Sequence, residues 1–263
     1  MQRVTSRQNA RLREAARLLA SAHERRKAGR CVLEGEHTIA AFVARCGPPE
    51  TLIVDESWLD RPGVRALAQA SGERAIAVPT SIFAELATLP EGVGVVGVVP
   101  APRPSPGPPG DFCLLLDDVQ DPGNVGSMLR TAAGAGVAQA WLSKRCAFAW
   151  SPKVLRAGQG AHFHLDIFED VDLAAWAAAF RASGGRVVAT AVRGGTDLFA
   201  APLDGRIAVA IGNEGAGLSP ALASAADVTV TIPMPGGVES LNAAAAAAVC
   251  LFECVRQRTR ETR

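Results

Sequence analysis

After residue 110 the chain repeats one pattern: a short, nearly continuous apolar run, a Gly, Pro or polar break, and often a helical stretch. The runs lie at 112–116, 138–142, 187–191, 207–211 and 228–232. Strands read this way when a parallel sheet is covered on both faces, because neither side of the strand meets water. Apolar residues at helical spacing over 125–135, 173–182 and 241–256 supply the cover, so this half is predicted to be a parallel sheet between helices. Earlier in the chain, strand-like runs at 30–34, 51–54, 75–78 and 93–99 alternate with helical patterns at 37–45, 64–71 and 81–86, which predicts a smaller α/β domain. Residues 100–110 between them hold six prolines in eleven positions. Proline's fixed φ and missing N–H exclude helix and central strand there and favour an extended spacer. The expected organisation is a domain over 1–99, a linker over 100–110 and a second domain over 111–263.

Composition supports a folded protein: 48% of the 263 residues are hydrophobic and 20% charged. The longest late apolar stretch, 243–252, is well short of the roughly 20 residues that span a bilayer, and no apolar segment follows the Arg-rich start, so a cytoplasmic protein without a membrane span is expected. Six scattered cysteines form no Cys-x-x-Cys pair, which suggests neither a zinc site nor a disulfide framework. His162 and His164 would share one side of a strand but lack a third nearby ligand, so no metal is expected.

The net charge of +1 hides an asymmetry. Residues 1–30 hold nine Arg or Lys against two Glu, and the remainder 18 basic against 24 acidic. Arg3, Arg7 and Arg11 recur every fourth position and would form one basic face on a helix whose other face is Leu12, Ala15, Ala16, Leu18 and Leu19. Such a face suits a phosphate backbone, although an ordinary solvated helix surface looks the same by charge alone.

A Gly-x-Gly-x-x-Gly occurs at Gly92, Gly94 and Gly97, but inside a strand-like run, with no helix opening after it to receive a pyrophosphate. A dinucleotide-binding enzyme is therefore excluded. Three other stretches carry more. Residues 116–133 (LDDVQDPGNVGSMLRTAA) turn from a strand into a helix, with Asn124 at or near the N-cap and Val125, Met128, Leu129 and Ala132 as the buried stripe. Arg130 falls off that stripe, one turn above Gly126. Residues 207–220 (IAVAIGNEGAGLSP) set Gly212, Asn213 and Glu214 just past a strand end, where open α/β sheets bind ligands and where glycines let backbone come close. Residues 228–243 (VTVTIPMPGGVESLNA) run from a strand through a rigid loop into a helix begun near Glu239 or Ser240. Ser240 and Asn242 would then sit by free helix N–H groups.

In this order and spacing the three stretches resemble the signature motifs of the SpoU (TrmH-type) RNA 2′-O-ribose methyltransferases of the SPOUT superfamily. The run LEGEHTI at 33–39 and the run 90–99 are similar to the substrate-binding domain found N-terminal in many members. The resemblance implies a ribosomal-protein-like α/β fold for the first domain, and for the second a parallel-sheet α/β fold tied into a deep trefoil knot. Pattern alone would suggest an unknotted doubly wound sheet, because connections rarely thread loops. It also implies a homodimer through the knot domain and S-adenosylmethionine as cofactor, held by Thr190, Gly212, Ile232, Met234 and Leu241. The catalytic set it implies is Asn124, Arg130, Glu214, Ser240 and Asn242, with Arg130 central. The expected substrate is structured RNA, ribosomal ahead of transfer RNA, bound in part through Arg3, Arg7 and Arg11. The competing reading is a non-catalytic RNA-binding or ribosome assembly factor, which would keep the basic residues but has no use for the five polar residues together.

Overall fold

The computed structural model describes residues 1–86, 93–102, 104 and 107–261. Gly92 of the glycine pattern, residues 90–92 of the N-terminal resemblance and residues 103, 105 and 106 of the linker lie outside the described residues. The chain divides into two compact units, Met1–Pro102 with Trp150–Phe163, and a second holding the rest.

The first unit opens with β1 (Gln2–Arg3), α1 (Ala10–Ala20), α2 (Ala22–Ala28), β2 (Arg30–Glu34) and α3 (Glu36–Cys46). It continues with β3 (Thr51–Asp55), α4 (Pro62–Ser71), β4 (Ala75–Val78), α5 (Thr80–Leu86) and β5 (Val95–Pro100). The sheet order is β1-β4-β3-β5-β2, with β5 antiparallel to both neighbours. Leu12, Ala15 and Leu18 of α1 pack on Ile53, Ile76 and Val98, as the apolar stripe of that helix required. Pro100 belongs to β5 rather than to the spacer, paired opposite Arg30 as the last residue of the ladder, a position that tolerates proline's missing donor.

The expected basic helix face is not formed. Arg3 lies in β1, Arg7 in a turn, and only Arg11 is helical, because the Asn9 side chain accepts from the Arg11 N–H at 3.0 Å and starts the helix there. Upstream, the Val4 N–H donates to the Ala77 carbonyl at 2.8 Å and keeps that segment extended beside β4.

From residue 112 the chain forms β6 (Phe112–Leu116), α6 (Pro122–Gly134), β7 (Gln139–Leu142), α7 (Pro152–Gly158), β8 (Asp166–Phe168) and α8 (Leu173–Ala182). There follow β9 (Arg186–Thr190), β10 (Thr196–Asp197), β11 (Ile207–Ile211), α9 (Pro220–Ser224), β12 (Val228–Thr231) and α10 (Ala243–Glu261). Among these, α7 clusters with the first unit. There Arg156 donates to the buried Glu34 at 2.8 Å, and Phe163 meets Phe42 edge-on at 5.1 Å. His162 and His164 are not on a strand: Gln159 and Gly160 both turn with positive φ, and residues 161–164 coil into a 3-10 turn that buries His162 and exposes His164.

All seven strands of the second unit are parallel, in the order β10-β12-β9-β11-β6-β7-β8. The central strand β11 is buried along its whole length, between α8 and α9 on one face and α10 on the other. Leu115 of β6 is wholly buried in the cluster made with Trp141, Phe180 and Val187. Replacing Leu115→Ala is expected to destabilise this unit by about 2–5 kcal/mol, seen as a lower midpoint of urea unfolding followed by tryptophan fluorescence.

Candidate active site

Because β6, β9, β11 and β12 run in one direction, the segments that leave them emerge at one edge of the sheet. Residues from three of those segments, with the start of α10, enclose a cavity of about 420 Å³, a size suited to a small organic ligand. Thr190, Ile211, Val230, Ile232, Met234 and Leu241 give it a largely apolar wall, and Ala243, Ala246 and Cys250 of α10 close it with small side chains. Burial pushes the Cys250 thiol up to about 12, so it serves here as a small apolar group.

Backbone forms the tightest part. Asn213 and Gly217 exchange two backbone hydrogen bonds of 2.9 Å, and Gly212 lies against the Gly217–Leu218 peptide so closely that a Cβ at Gly212 would meet the Gly217 carbonyl carbon at 2.2 Å. Gly217 itself has φ +71°. The Thr190 hydroxyl donates to the Ala210 carbonyl at 2.9 Å and so ties the ends of β9 and β11 together beside the cavity.

Polar side chains from all three stretches meet at the rim. Asn124 of α6 donates through Nδ2 to Glu214 Oε1 at 2.7 Å, and Asn242 Nδ2 donates to Asn124 Oδ1 at 3.1 Å. Asn213 braces the same group: its Nδ2 donates to the Asp118 carbonyl at 3.0 Å and to Glu214 Oε2 at 3.4 Å, while its Oδ1 accepts from the Gly215 and Ala216 N–H groups. Below them the buried Asp117 carboxylate accepts from the Ser219 N–H at 2.8 Å. The Arg145 guanidinium, helped by the Ser143 hydroxyl, holds the Asp118 carboxyl below the usual carboxylate range, and Asp118 itself has φ +57°.

Thr190, Gly212, Ile232, Met234 and Leu241 thus all line one cavity, together with Glu214, Ser240 and Asn242. Asn124 reaches that group by hydrogen bonds. Arg130 is exposed further along α6 and, among the described residues, pairs with no carboxylate. Arg3, Arg7 and Arg11 belong to the other unit, where they contact Glu56, Glu85 and the Glu73 carbonyl.

The starts of α6 and α10 are set by particular caps. Asn124 is not the N-cap of α6: Asp121 is, accepting from the Asn124 N–H at 2.8 Å, because Pro122 occupies the first helical position, which leaves the Asn124 amide free to reach Glu214. The last helix starts at Ala243 rather than near Ser240, with Asn242 Oδ1 accepting from the Ala244 and Ala245 N–H groups. Asn242 therefore caps with one end of its amide and holds Asn124 with the other. Asp117, Asp118 and the bracing role of Asn213 were not foreseen; adjacent acids at a strand end were the only signal, and it is shared by many plain turns.

Comparison with known proteins follows the same division. The model of the SpoU rRNA Methylase family matches residues 111–252, and that of the MRM3-like substrate binding domain residues 9–97. The chain is 30% identical over 256 residues to the 23S rRNA (guanosine(2553)-2′-O)-methyltransferase RlmP of Bacillus subtilis, covering 96% of this chain and 98% of that one. It is 33% identical over 266 residues to the 23S rRNA (uridine(2479)-2′-O)-methyltransferase of Streptomyces viridochromogenes, covering 97% and 92%. A crystal structure of the SpoU methyltransferase AviRb from Streptomyces viridochromogenes in complex with the cofactor AdoMet superposes with a TM-score of 0.84 at 32% identity, covering 96% of this chain and 99% of that one.

The crowding at Gly212 yields a test. Gly212→Ala is expected to weaken S-adenosylmethionine binding at least tenfold in titration calorimetry. Gly236→Ala, where a Cβ would meet nothing within 4 Å, is expected to bind as the unaltered protein does.

Proposed function

The chain belongs to the SpoU rRNA methylase family, and on that premise we propose that it transfers the methyl group of S-adenosylmethionine to a ribose 2′-hydroxyl of 23S ribosomal RNA. The observation that carries this most is the hydrogen-bonded chain Asn242–Asn124–Glu214 on the rim of the cavity. Three separate signature stretches meet there, and a protein that only bound RNA would have no need to join them beside a small-molecule pocket. Two relatives matched along nearly the whole chain are named for 23S ribosomal RNA, and a third for transfer or ribosomal RNA, which favours the ribosomal substrate.

The cavity suits the cofactor in kind. Its apolar wall can take an adenosine, and the backbone at Gly212 can come within hydrogen-bonding distance of polar cofactor atoms because no side chain intervenes. Thr190, Gly212, Ile232, Met234 and Leu241 would hold it. When bound, the cofactor supplies an electrophilic methyl group. The protein must then orient the ribose hydroxyl in line with that carbon and manage the charge left on oxygen.

Arg130 is assigned to the adjacent phosphate and the emerging alkoxide. A guanidinium has no acceptor in its ordinary state and donates in a rigid fork, so it stabilises an oxyanion rather than taking its proton. Asn124, Glu214, Ser240 and Asn242 are assigned to positioning the ribose and this arginine. Arg3, Arg7 and Arg11 are exposed guanidiniums whose carboxylate and carbonyl partners RNA phosphates can replace, a contact that salt would weaken. We extend the reading to a trefoil knot, a homodimer and a cytoplasmic setting. The knot is supported by the return of residues 232–242 past the 212–217 turn into α10, and the setting by six free thiols, while the homodimer rests on the family resemblance.

The test is incubation with methyl-labelled S-adenosylmethionine and separate 23S and transfer RNA pools lacking the modification, followed by nucleoside analysis. Label in a 2′-O-methylated nucleoside of the 23S pool is expected; cofactor binding without label in either pool would overturn the reaction. Arg130→Ala is expected to keep the fold and cofactor affinity but to lose at least 10²-fold in transfer rate, on the order found for lost oxyanion donors. Near-normal activity of that variant would remove Arg130 from the chemistry.

A further inference from the structure

We infer that Trp58 and Arg61 of the first unit form a stacking platform for an unpaired nucleobase of the RNA substrate, an inference that rests on the proposed RNA 2′-O-methyltransferase function. The aromatic side chains of this unit are Phe42, Trp58, Phe83, Trp150 and Phe163, and all but Trp58 are buried. Trp58 sits in the turn after β3, partly exposed, with the Arg61 guanidinium 3.4 Å from its ring centroid.

The indole also lies on backbone. A Cβ at Gly94 would fall 1.9 Å from the Trp58 ring, and Gly94 has φ +56°, so the indole can lie flat there only because position 94 is glycine. The turn beneath is rigid: buried Asp55 accepts through Oδ1 from the Ser57 N–H, the Ser57 hydroxyl and the Thr80 hydroxyl at 2.7–2.9 Å. The Asp55 N–H donates to the Gly94 carbonyl at 2.9 Å.

Glycine backbone, indole and guanidinium thus lie together, and Arg61 is itself exposed. Nearby arginines are already occupied, Arg3 by Glu56 in a two-pronged pair and Arg65 by Asp60. Among the described residues Arg61 has no carboxylate partner. A planar cation held over an indole ring, exposed and without a carboxylate partner among the described residues, is the kind of group that splayed RNA bases stack on, and sequence-specific RNA recognition targets such bases. A surface built only for phosphate would need the charge but not the plane.

That distinction sets the experiment. The full chain and its Arg61→Ala, Arg61→Lys and Trp58→Phe variants are titrated with two RNA probes. One is a hairpin from 23S ribosomal RNA that the unaltered protein methylates, and the other is the same hairpin with abasic ribose at its unpaired loop positions. Binding of the natural hairpin is expected to weaken roughly ten- to a hundredfold in both Arg61→Ala and Arg61→Lys, and less in Trp58→Phe, which keeps an aromatic plane. The abasic hairpin is expected to bind all four proteins nearly alike, with cofactor affinity and thermal midpoint unchanged throughout. Full affinity in Arg61→Lys, or an equal loss with the abasic hairpin, would overturn the platform in favour of a simple charge contact. The methyltransferase reading would survive that result, because the unaltered protein still labels the RNA; failure to label any RNA would overturn both.

Discussion

The hydrogen bond from the Asn124 amide to the Glu214 carboxylate spans 90 residues of sequence, and the candidate chemistry depends on it. It forms because β6 and β11 are neighbours in parallel register from Phe112 opposite Ile207 to Leu116 opposite Ile211, so both strands release their chains at the same level of one edge. The helix after β6 starts from an Asp121 cap with Pro122 at its first position, and this turns Asn124 towards the β11 loop instead of spending its side chain on the helix. Asn242 completes the chain from the opposite side, capping α10 with its oxygen and holding Asn124 with its nitrogen. The side chains of Asn124, Asn213, Glu214 and Asn242 all have partners, as preorganised sites require: a positioned group should lose little freedom when the substrate arrives.

Charge is distributed in the same spirit. Carboxylates near the rim are restrained, Asp117 by a backbone N–H and Asp118 by Arg145 and Ser143. Arg130 is left without an acidic partner among the described residues. A guanidinium kept free of carboxylates is available to a phosphate or an alkoxide, whereas one in a tight pair would have to give up that pair first. The first unit shows a related contrast between Arg3 and Arg7, which hold carboxylates, and Arg61, which holds an indole.

Much of this was legible beforehand. Strands at 30–34, 75–78, 112–116 and 207–211 and the helix at 173–182 were read from apolar pattern to the residue. For β4, β6 and β11 the physical cause is burial, since a fully buried strand can hold hardly any polar residue and announces its own limits. Short edge elements such as β1, β8 and β10 bury little and left no such mark. The basic helix failed because spacing counts positions but not caps: Asn9 begins the helix after Arg3 and Arg7 have passed.

By itself the sequence determined the two-unit α/β class, the parallel character of the second sheet and the three stretches that carry the family's motifs, because burial and backbone stereochemistry act locally and leave local traces. Tertiary structure alone decided that eight of the ten proposed catalytic and cofactor positions share one cavity and that Asn124 joins them through Glu214 and Asn242. It also decided that residues 150–163 cluster with the first unit and that Trp58 lies against Gly94 and Arg61. Such contacts depend on strand order and on side chains meeting from distant segments, and no periodicity along a single segment encodes which segment will be its neighbour.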